Sequence, residues 1–223
     1  MAAYLHDGGP VVADARIEQA RLLYERMAFS GDGSGLATAA RELDGVEADL
    51  SLARGRVLHG QFMQDGRDDP QELTLFGHAA DLYQALGDTR GEGESLLWIG
   101  IFHQVVRQDN SAAVPMLERS RQLLEQAGDE QNLSYALRHL GIAEHSAGRL
   151  EQARQLLEDS TRLRRDLGFL PGVAANLVGL GYIAAAQDRR DEAMAMLREA
   201  AGIAKSSGAY GIARQVDEAR RAL

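Results

Sequence analysis

The sequence predicts an all-α protein, an α-solenoid in which antiparallel helical hairpins stack side by side. The 223 residues include only four prolines and many stretches of Ala, Leu, Arg, Glu and Gln, residues with high helix propensity. Apolar residues recur at helical spacing between short glycine or polar breaks. A pattern of about forty residues also repeats along the second half of the chain, which is typical of a solenoid.

The breaks divide the chain into about eleven helices, if a weaker break at Gly45 is counted. No break is long enough to be an interdomain linker, so we expect a disordered tail at residues 1–10 and a single domain at residues 11–223. The domain is expected to consist of degenerate repeats at 11–94, clear repeats at 95–207 and a capping helix at 208–223. The apolar stripe of that last helix could instead form the seam of a homodimer.

Each clear repeat is marked by a glycine at a fixed place. Gly100, Gly141 and Gly181 are 41 and 40 residues apart. An alanine follows twelve residues later and a large apolar residue sixteen residues later, at Ala112 and Met116, Ala153 and Leu157, and Ala193 and Leu197. We interpret the glycine as the point where a second helix approaches closely, and the large residue as the one that fills the core. One hairpin cannot bury its own apolar face, so the repeats must stack.

This pattern, with Leu137-x-x-Leu140-Gly141 and Leu177-x-x-Leu180-Gly181 as two copies, resembles the tetratricopeptide repeat, in particular its longer variety of bacterial proteins. The resemblance implies that the first helix of each hairpin lines a concave groove. It also implies a noncatalytic module that holds a protein or peptide segment, or another ligand, in that groove. The groove residues implied in this way are Gln61, Gln64, Leu97, Ile101, Gln104, Tyr135, Arg138, Ile142, His145, Val178 and Tyr182.

The composition of this predicted groove narrows the class of ligand. It contains no lysine or asparagine, which argues against the clamp that some family members use for peptide carboxyl termini. We expect an apolar helix or extended peptide, or an apolar or anionic small molecule, with Arg138 as the counter-ion of a carboxylate or phosphate. One alternative is that the apolar residues pack within the solenoid. Another is a small-molecule-binding protein or an enzyme of a specialised-metabolite pathway that uses the groove as a pocket.

Few residues suggest catalysis. His103 and Glu144 occupy the same repeat position on adjacent first helices, with His145 next to them, so they could form a general acid and base pair. A structural polar contact between repeats is favoured, and we assign no catalytic residue. We expect no metal, because cysteine is absent and His139 and His145, six residues apart, do not share a helix face. We expect no cofactor, because the sequence has no phosphate-binding loop and no dinucleotide-binding motif.

Charge and hydropathy exclude further classes of protein. With 24 basic and 33 acidic residues the net charge is -9, which disfavours nucleic acid and anionic membranes as partners. The run Arg162, Arg164 and Arg165 has acidic neighbours and is interpreted as a solvated helix face. The absence of cysteine, of a signal sequence and of a long apolar stretch leads us to expect a soluble, cytoplasmic protein.

Overall fold

The computed structural model describes residues 14–223, and the tail predicted at residues 1–10 lies outside this range. The described residues form ten α-helices and one short π-helix, and no strand. The helices are α1 (Ala15–Ser30), α2 (Leu36–Asp65), α3 (Gln71–Leu86), α4 (Thr89–Ile101), the π-helix (Phe102–Val106), α5 (Asn110–Ala127), α6 (Glu130–Ser146), α7 (Leu150–Asp166), α8 (Leu170–Ala186), α9 (Arg190–Ser206) and α10 (Tyr210–Ala222). The all-α prediction is confirmed.

The helix count differs slightly from the prediction because Gly45 does not interrupt α2. This helix continues through the glycine for 30 residues. A single glycine costs a helix only about 1 kcal/mol relative to alanine, which packing against a neighbour offsets. None of the helices within residues 14–223 combines the length and apolar content needed to cross a bilayer.

The helices pair as successive hairpins, α2 with α3, α4 with α5, α6 with α7 and α8 with α9. The first helices of successive hairpins also contact one another, so that α4 meets α6 and α6 meets α8. We call α4, α6 and α8 the inner helices. At the two ends of the array, α1 packs on α2, and α10 packs on both α8 and α9.

The turns between hairpins follow from glycine and aspartate pairs in the sequence. Gly87 and Gly128 end their helices with φ angles of 74° and 68°, a left-handed conformation that glycine adopts without steric cost. The next residues, Asp88 and Asp129, cap the following helices by accepting hydrogen bonds from backbone amides in the first turn. At these two turns, one hairpin therefore ends and the next one begins within two residues.

The predicted glycine contacts are present in the second and third clear repeats. A Cβ atom on Gly141 would lie 3.0 Å from Cγ of Leu157, and one on Gly181 would lie 3.3 Å from Cγ of Leu197. Ala153 and Ala193 are fully buried beside them. The two helices of each hairpin thus approach closely at the glycine, as the spacing predicts.

In the first clear repeat, the predicted register is wrong by one residue. Ala113 and Leu117 are fully buried there, rather than Ala112 and Met116. The reason is the π-helix, in which the amide of Arg107 bonds the carbonyl of Phe102, five residues back, at 3.2 Å. A π turn contains one residue more than an α turn, so it absorbs an insertion without shifting the core of α5. This insertion accounts for the spacing of 41 residues rather than 40.

Candidate functional site

Three of the predicted groove residues are part of the hydrophobic core. Leu97, Ile101 and Val178 are only 1%, 4% and 6% exposed. Leu97 and Ile101 pack with Leu117 and Leu140 between neighbouring hairpins, and Val178 belongs to the corresponding cluster around α8 and α9. Ile101 and Val178 lie on faces that the stacking of the repeats covers, so their side chains do not form a binding surface. Leu97 is equally buried but lines a cavity described below.

Gln104 is engaged by its own neighbours. Its Nε2 donates to Oδ1 of Asn110 at 2.9 Å and to the carbonyl of His139 at 3.0 Å, and its Oε1 lies 2.6 Å from Nδ1 of His139. These bonds join the π-helix to α5 and α6. Gln104 therefore connects repeats and offers no free amide to a ligand.

The structure places the remaining predicted groove residues in different environments. Gln61 and Gln64 are exposed near the end of α2, where they line a depression shared with Asp65, Asp68 and Asp69. Ile142, His145 and Tyr182 are half-buried along α6 and α8. Tyr135 and Arg138, by contrast, line a common cavity on the inner helices.

We call this space the arginine cavity. It has a volume of about 280 Å³ and lies between α6, α7, α8 and α10. Of the predicted groove residues, only Tyr135 and Arg138 are in its lining, which does not include His145 or Tyr182. Its full lining is Tyr135, Arg138, His139, Arg164, Phe169, Pro171, Gly172, Ala175, Ile212 and Gln215.

Arg138 and Arg164 meet at one buried asparagine. Nη1 of Arg138 donates to Oδ1 of Asn176 at 2.9 Å and to the carbonyl of Ala175 at 3.0 Å. Nη1 of Arg164 donates to the same Oδ1 at 3.0 Å and to the carbonyl of Gly172 at 2.9 Å, while its Nε donates to Oγ of Ser134 at 3.2 Å. Two positive charges therefore share a single neutral acceptor.

Arg164 is a functional candidate that the sequence analysis missed. It is 1% exposed, which contradicts the interpretation of its run as a solvated helix face; its neighbours Arg162 and Arg165 do have exposed side chains. Its guanidinium carbon lies 4.7 Å from the ring centre of Tyr135 and 5.6 Å from that of Phe169. The signal was present in the sequence, since Arg164 follows the core residue Leu157 by seven residues and so shares its helix face.

The electrostatics of the arginine cavity follow from burial without acidic partners. Burial lowers the pKa of Arg138 to about 10. Burial, and then the positive charge of Arg138, lowers the pKa of Arg164 to about 9, so both groups stay protonated at neutral pH. Burial also lowers the pKa of His139 to about 3, with the charges of the two arginines adding to the effect. His139 is therefore neutral in the folded protein.

A second cavity, of about 370 Å³, adjoins the first and has balanced charges; we call it the paired cavity. In it, Nε of Arg90 lies 3.1 Å from Asp129, and Arg56 forms an ion pair with Glu94. Arg56 also stacks over Trp98, 5.3 Å from the ring centre. Tyr135 lines both cavities, which places them side by side along the inner helices. The full lining is Arg56, Arg90, Glu94, Leu97, Trp98, Asp129, Gln131, Asn132 and Tyr135.

The predicted contact between His103 and Glu144 does not form. The carboxylate of Glu144 binds Arg149 instead, with Nη2 of Arg149 2.9 Å from Oε1. The ring of His103, in the π-helix, packs edge-on against Phe102 at 5.7 Å between centres. Arg149 lies just beyond the end of α6 and reaches Glu144 five residues back, so the carboxylate is neutralised locally. Within residues 14–223, no three His, Asp or Glu side chains are grouped so that they could hold a metal ion.

Comparisons with known proteins give one family match and similar solved structures. Residues 93–166 match the family model described as tetratricopeptide repeat. No curated protein matches the sequence. The solved structure of the MamA protein is similar at 18% identity and a TM-score of 0.46, over 87% of this chain and 95% of that chain. The structure of BtubC (BKLC) from P. vanneervenii is similar at 16% identity and a TM-score of 0.47, over 87% of this chain and 89% of that chain. The family match therefore identifies tetratricopeptide repeats at residues 93–166, which span α4 to α7.

Proposed function

We propose that this protein is a noncatalytic binding module that holds a segment of a partner protein along its inner helices. The observation that supports this proposal most directly is the row formed by the paired cavity and the arginine cavity, which meet at Tyr135. Together they extend from α2 and α4 across α6 to α8 and α10. A row of depressions over several repeats suits an extended peptide or a helix better than a compact molecule.

The chemistry of the row also favours a protein segment. Aromatic rings lie along it, with Trp98 in the paired cavity and Phe169 in the arginine cavity, next to polar groups such as Asn132 and Gln215. Aromatic anchors with polar neighbours are typical of protein interfaces. The tetratricopeptide fold in general acts as a scaffold for protein interactions, which agrees with this use.

A photo-crosslinking experiment in native cells tests the proposal. A photoreactive phenylalanine analogue would replace Gln131, an exposed residue at the paired cavity, in one variant. The matched control would carry the analogue at Gln122, an exposed residue of α5, the second helix of its hairpin. We expect a discrete adduct of higher mass from position 131 and none from position 122.

The outcome of this experiment separates the alternatives. A protein adduct confined to position 131 supports the inner helices as the interaction surface. Equal adducts from both positions, or none from position 131, would contradict the proposal. If mass spectrometry of the purified protein showed a retained small molecule and no protein adduct formed, the inner helices would instead serve as a small-molecule pocket.

A further inference from the structure

The arginine cavity contains two arginines, the buried Arg164 and the half-buried Arg138, and its lining includes no acidic side chain. Arg138 and Arg164 form no ion pair with any Asp or Glu of residues 14–223, whereas each arginine of the neighbouring paired cavity has a carboxylate partner. Buried charges in proteins are normally paired, because their desolvation is costly. The acceptors that the two arginines do have are neutral oxygens, at Ala175, Gly172, Ser134 and Asn176.

Donors are also left over at this site. Nη2 of Arg164 is inaccessible to solvent and has no hydrogen-bond partner. The hydrogen bonds of Arg138 use only its Nη1, which leaves Nε and Nη2 of a guanidinium that has five N–H groups in all. The rings of Tyr135 and Phe169 next to Arg164 offset part of its charge but accept no strong hydrogen bond.

From this geometry we propose that the arginine cavity is an oxyanion-binding site, in which the free N–H groups of Arg138 bind one carboxylate or phosphate group and the buried positive charge of Arg164 adds to its attraction. Guanidinium groups suit such ligands because their planar N–H pairs match two oxygens at once. Asn176 keeps the two guanidinium groups close together through its single oxygen. Phe169, Pro171, Ala175 and Ile212 form the apolar part of the lining, next to which the remainder of the ligand would lie.

The source of the oxyanion follows from the proposed function, on which this part of the inference rests. A protein segment lying along the inner helices would bring an acidic side chain, a carboxyl terminus or a phosphorylated residue into the arginine cavity. The site itself does not depend on that source, because a free carboxylate or phosphate ion offers the same oxygens. Small anions therefore test the site separately from the partner.

The test is a calorimetric titration of the purified protein with sodium phosphate and, separately, with sodium acetate, with chloride used to hold the ionic strength constant. We expect saturable binding of at least one probe, and the probe that binds identifies the chemical type of the oxyanion. In Arg138→Gln the affinity is expected to fall by about tenfold or more, because a charge-assisted hydrogen-bonded partner is lost. Arg162→Gln, which removes the same charge from the exposed face of α7, should bind as the wild type does.

Thermal unfolding and circular dichroism distinguish a loss of anion binding from misfolding of a variant. In the wild type, the bound anion should raise the melting temperature by about 3 °C at ten times its dissociation constant, and circular dichroism would verify that each variant is helical. Absence of saturable binding to the wild type with both probes would overturn the inference, and so would equal affinity in folded Arg138→Gln. An adduct at position 131 without any anion binding would leave the binding module supported and the oxyanion site rejected.

Discussion

Arg138 of α6 and Arg164 of α7 donate hydrogen bonds to the same atom, Oδ1 of Asn176 in α8, at 2.9 and 3.0 Å. The asparagine in turn donates through Nδ2 to Oγ of Ser160 at 2.8 Å. Three helices from two hairpins are thus joined by one polar network that lies at the proposed oxyanion site. Because every member is buried or half-buried, the network affects both stability and binding.

Asn176→Asp is expected to place the missing negative charge between the two arginines. The variant should remain folded, and the gain in melting temperature that phosphate or acetate gives to the wild type should be lost, since the new carboxylate neutralises positive charge that attracts the anion. Thermal unfolding with and without each anion measures this. A full anion response in Asn176→Asp would show that the two guanidinium groups bind anions independently of their shared acceptor.

The repeat glycines should differ in their tolerance of alanine, in the order of the distances from an added Cβ atom to its nearest neighbours. A Cβ atom at Gly100 would lie 2.6 Å from Cγ of Leu117, so Gly100→Ala should lower the free energy of unfolding by about 1 to 3 kcal/mol through overpacking. Gly181→Ala, with 3.3 Å to Leu197, should change it by less than about 1 kcal/mol.

Gly202 in α9 provides the control for this series, because a Cβ atom there would have no neighbour within 4 Å. Gly202→Ala should therefore raise the free energy of unfolding by up to about 1 kcal/mol through helix propensity alone. Urea unfolding of the three variants measures the order. If Gly100→Ala were as stable as Gly202→Ala, the close approach of α4 and α5 would be disproved.

Acid should destabilise the fold through His139. Its pKa is about 3 in the folded protein and about 6.5 in an unfolded chain, so the unfolded state binds the proton more readily. The contribution of His139 to stability is complete above pH 6.5 and is lost as the pH falls toward 3, with a slope of at most about 1.4 kcal/mol per pH unit. The free energy of unfolding, measured with urea between pH 7 and pH 4, should change less steeply with pH in His139→Gln than in the wild type.

The control for the histidine prediction is His78→Gln. The side chain of His78 is 46% exposed and lies 2.8 Å from Glu47. Replacing His78 should leave unchanged the part of the pH dependence of the unfolding free energy that is due to His139. An identical pH dependence in the wild type and in His139→Gln would contradict the prediction that His139 stays neutral in the fold.

The π-helix should tolerate a deletion that the other repeats do not. Removing Val106 is expected to turn Phe102–Val106 into a regular α-helical end and to give the first clear repeat the 40-residue spacing of the second. Removing Ser146 at the end of α6, which has no π turn, would rotate the buried face of α7 out of register. Urea unfolding should show the smaller loss of stability for the Val106 deletion; a larger loss would contradict this account of the insertion.

The sequence by itself determined the helices, the stacking of hairpins and the positions of the repeat glycines. Helical period and repeat spacing are local quantities, and they place Gly141 against Leu157 and Gly181 against Leu197 without reference to the rest of the chain. The resemblance to the tetratricopeptide repeat implied that Tyr135 and Arg138 lie on an inner helix, and both line the arginine cavity.

The tertiary structure alone decided which inner residues stay accessible and which charges lie together. Periodicity gives the face of a helix but not its neighbour, so Ile101 and Val178 are predicted as groove residues although other helices cover them. The burial of Arg164 depends on acceptors from α6 and α8 that are distant in the sequence. The π-helix likewise places Leu117 rather than Met116 in the core of α5. The spacing of the repeats shows that one residue is inserted but not where along the chain the extra residue is accommodated.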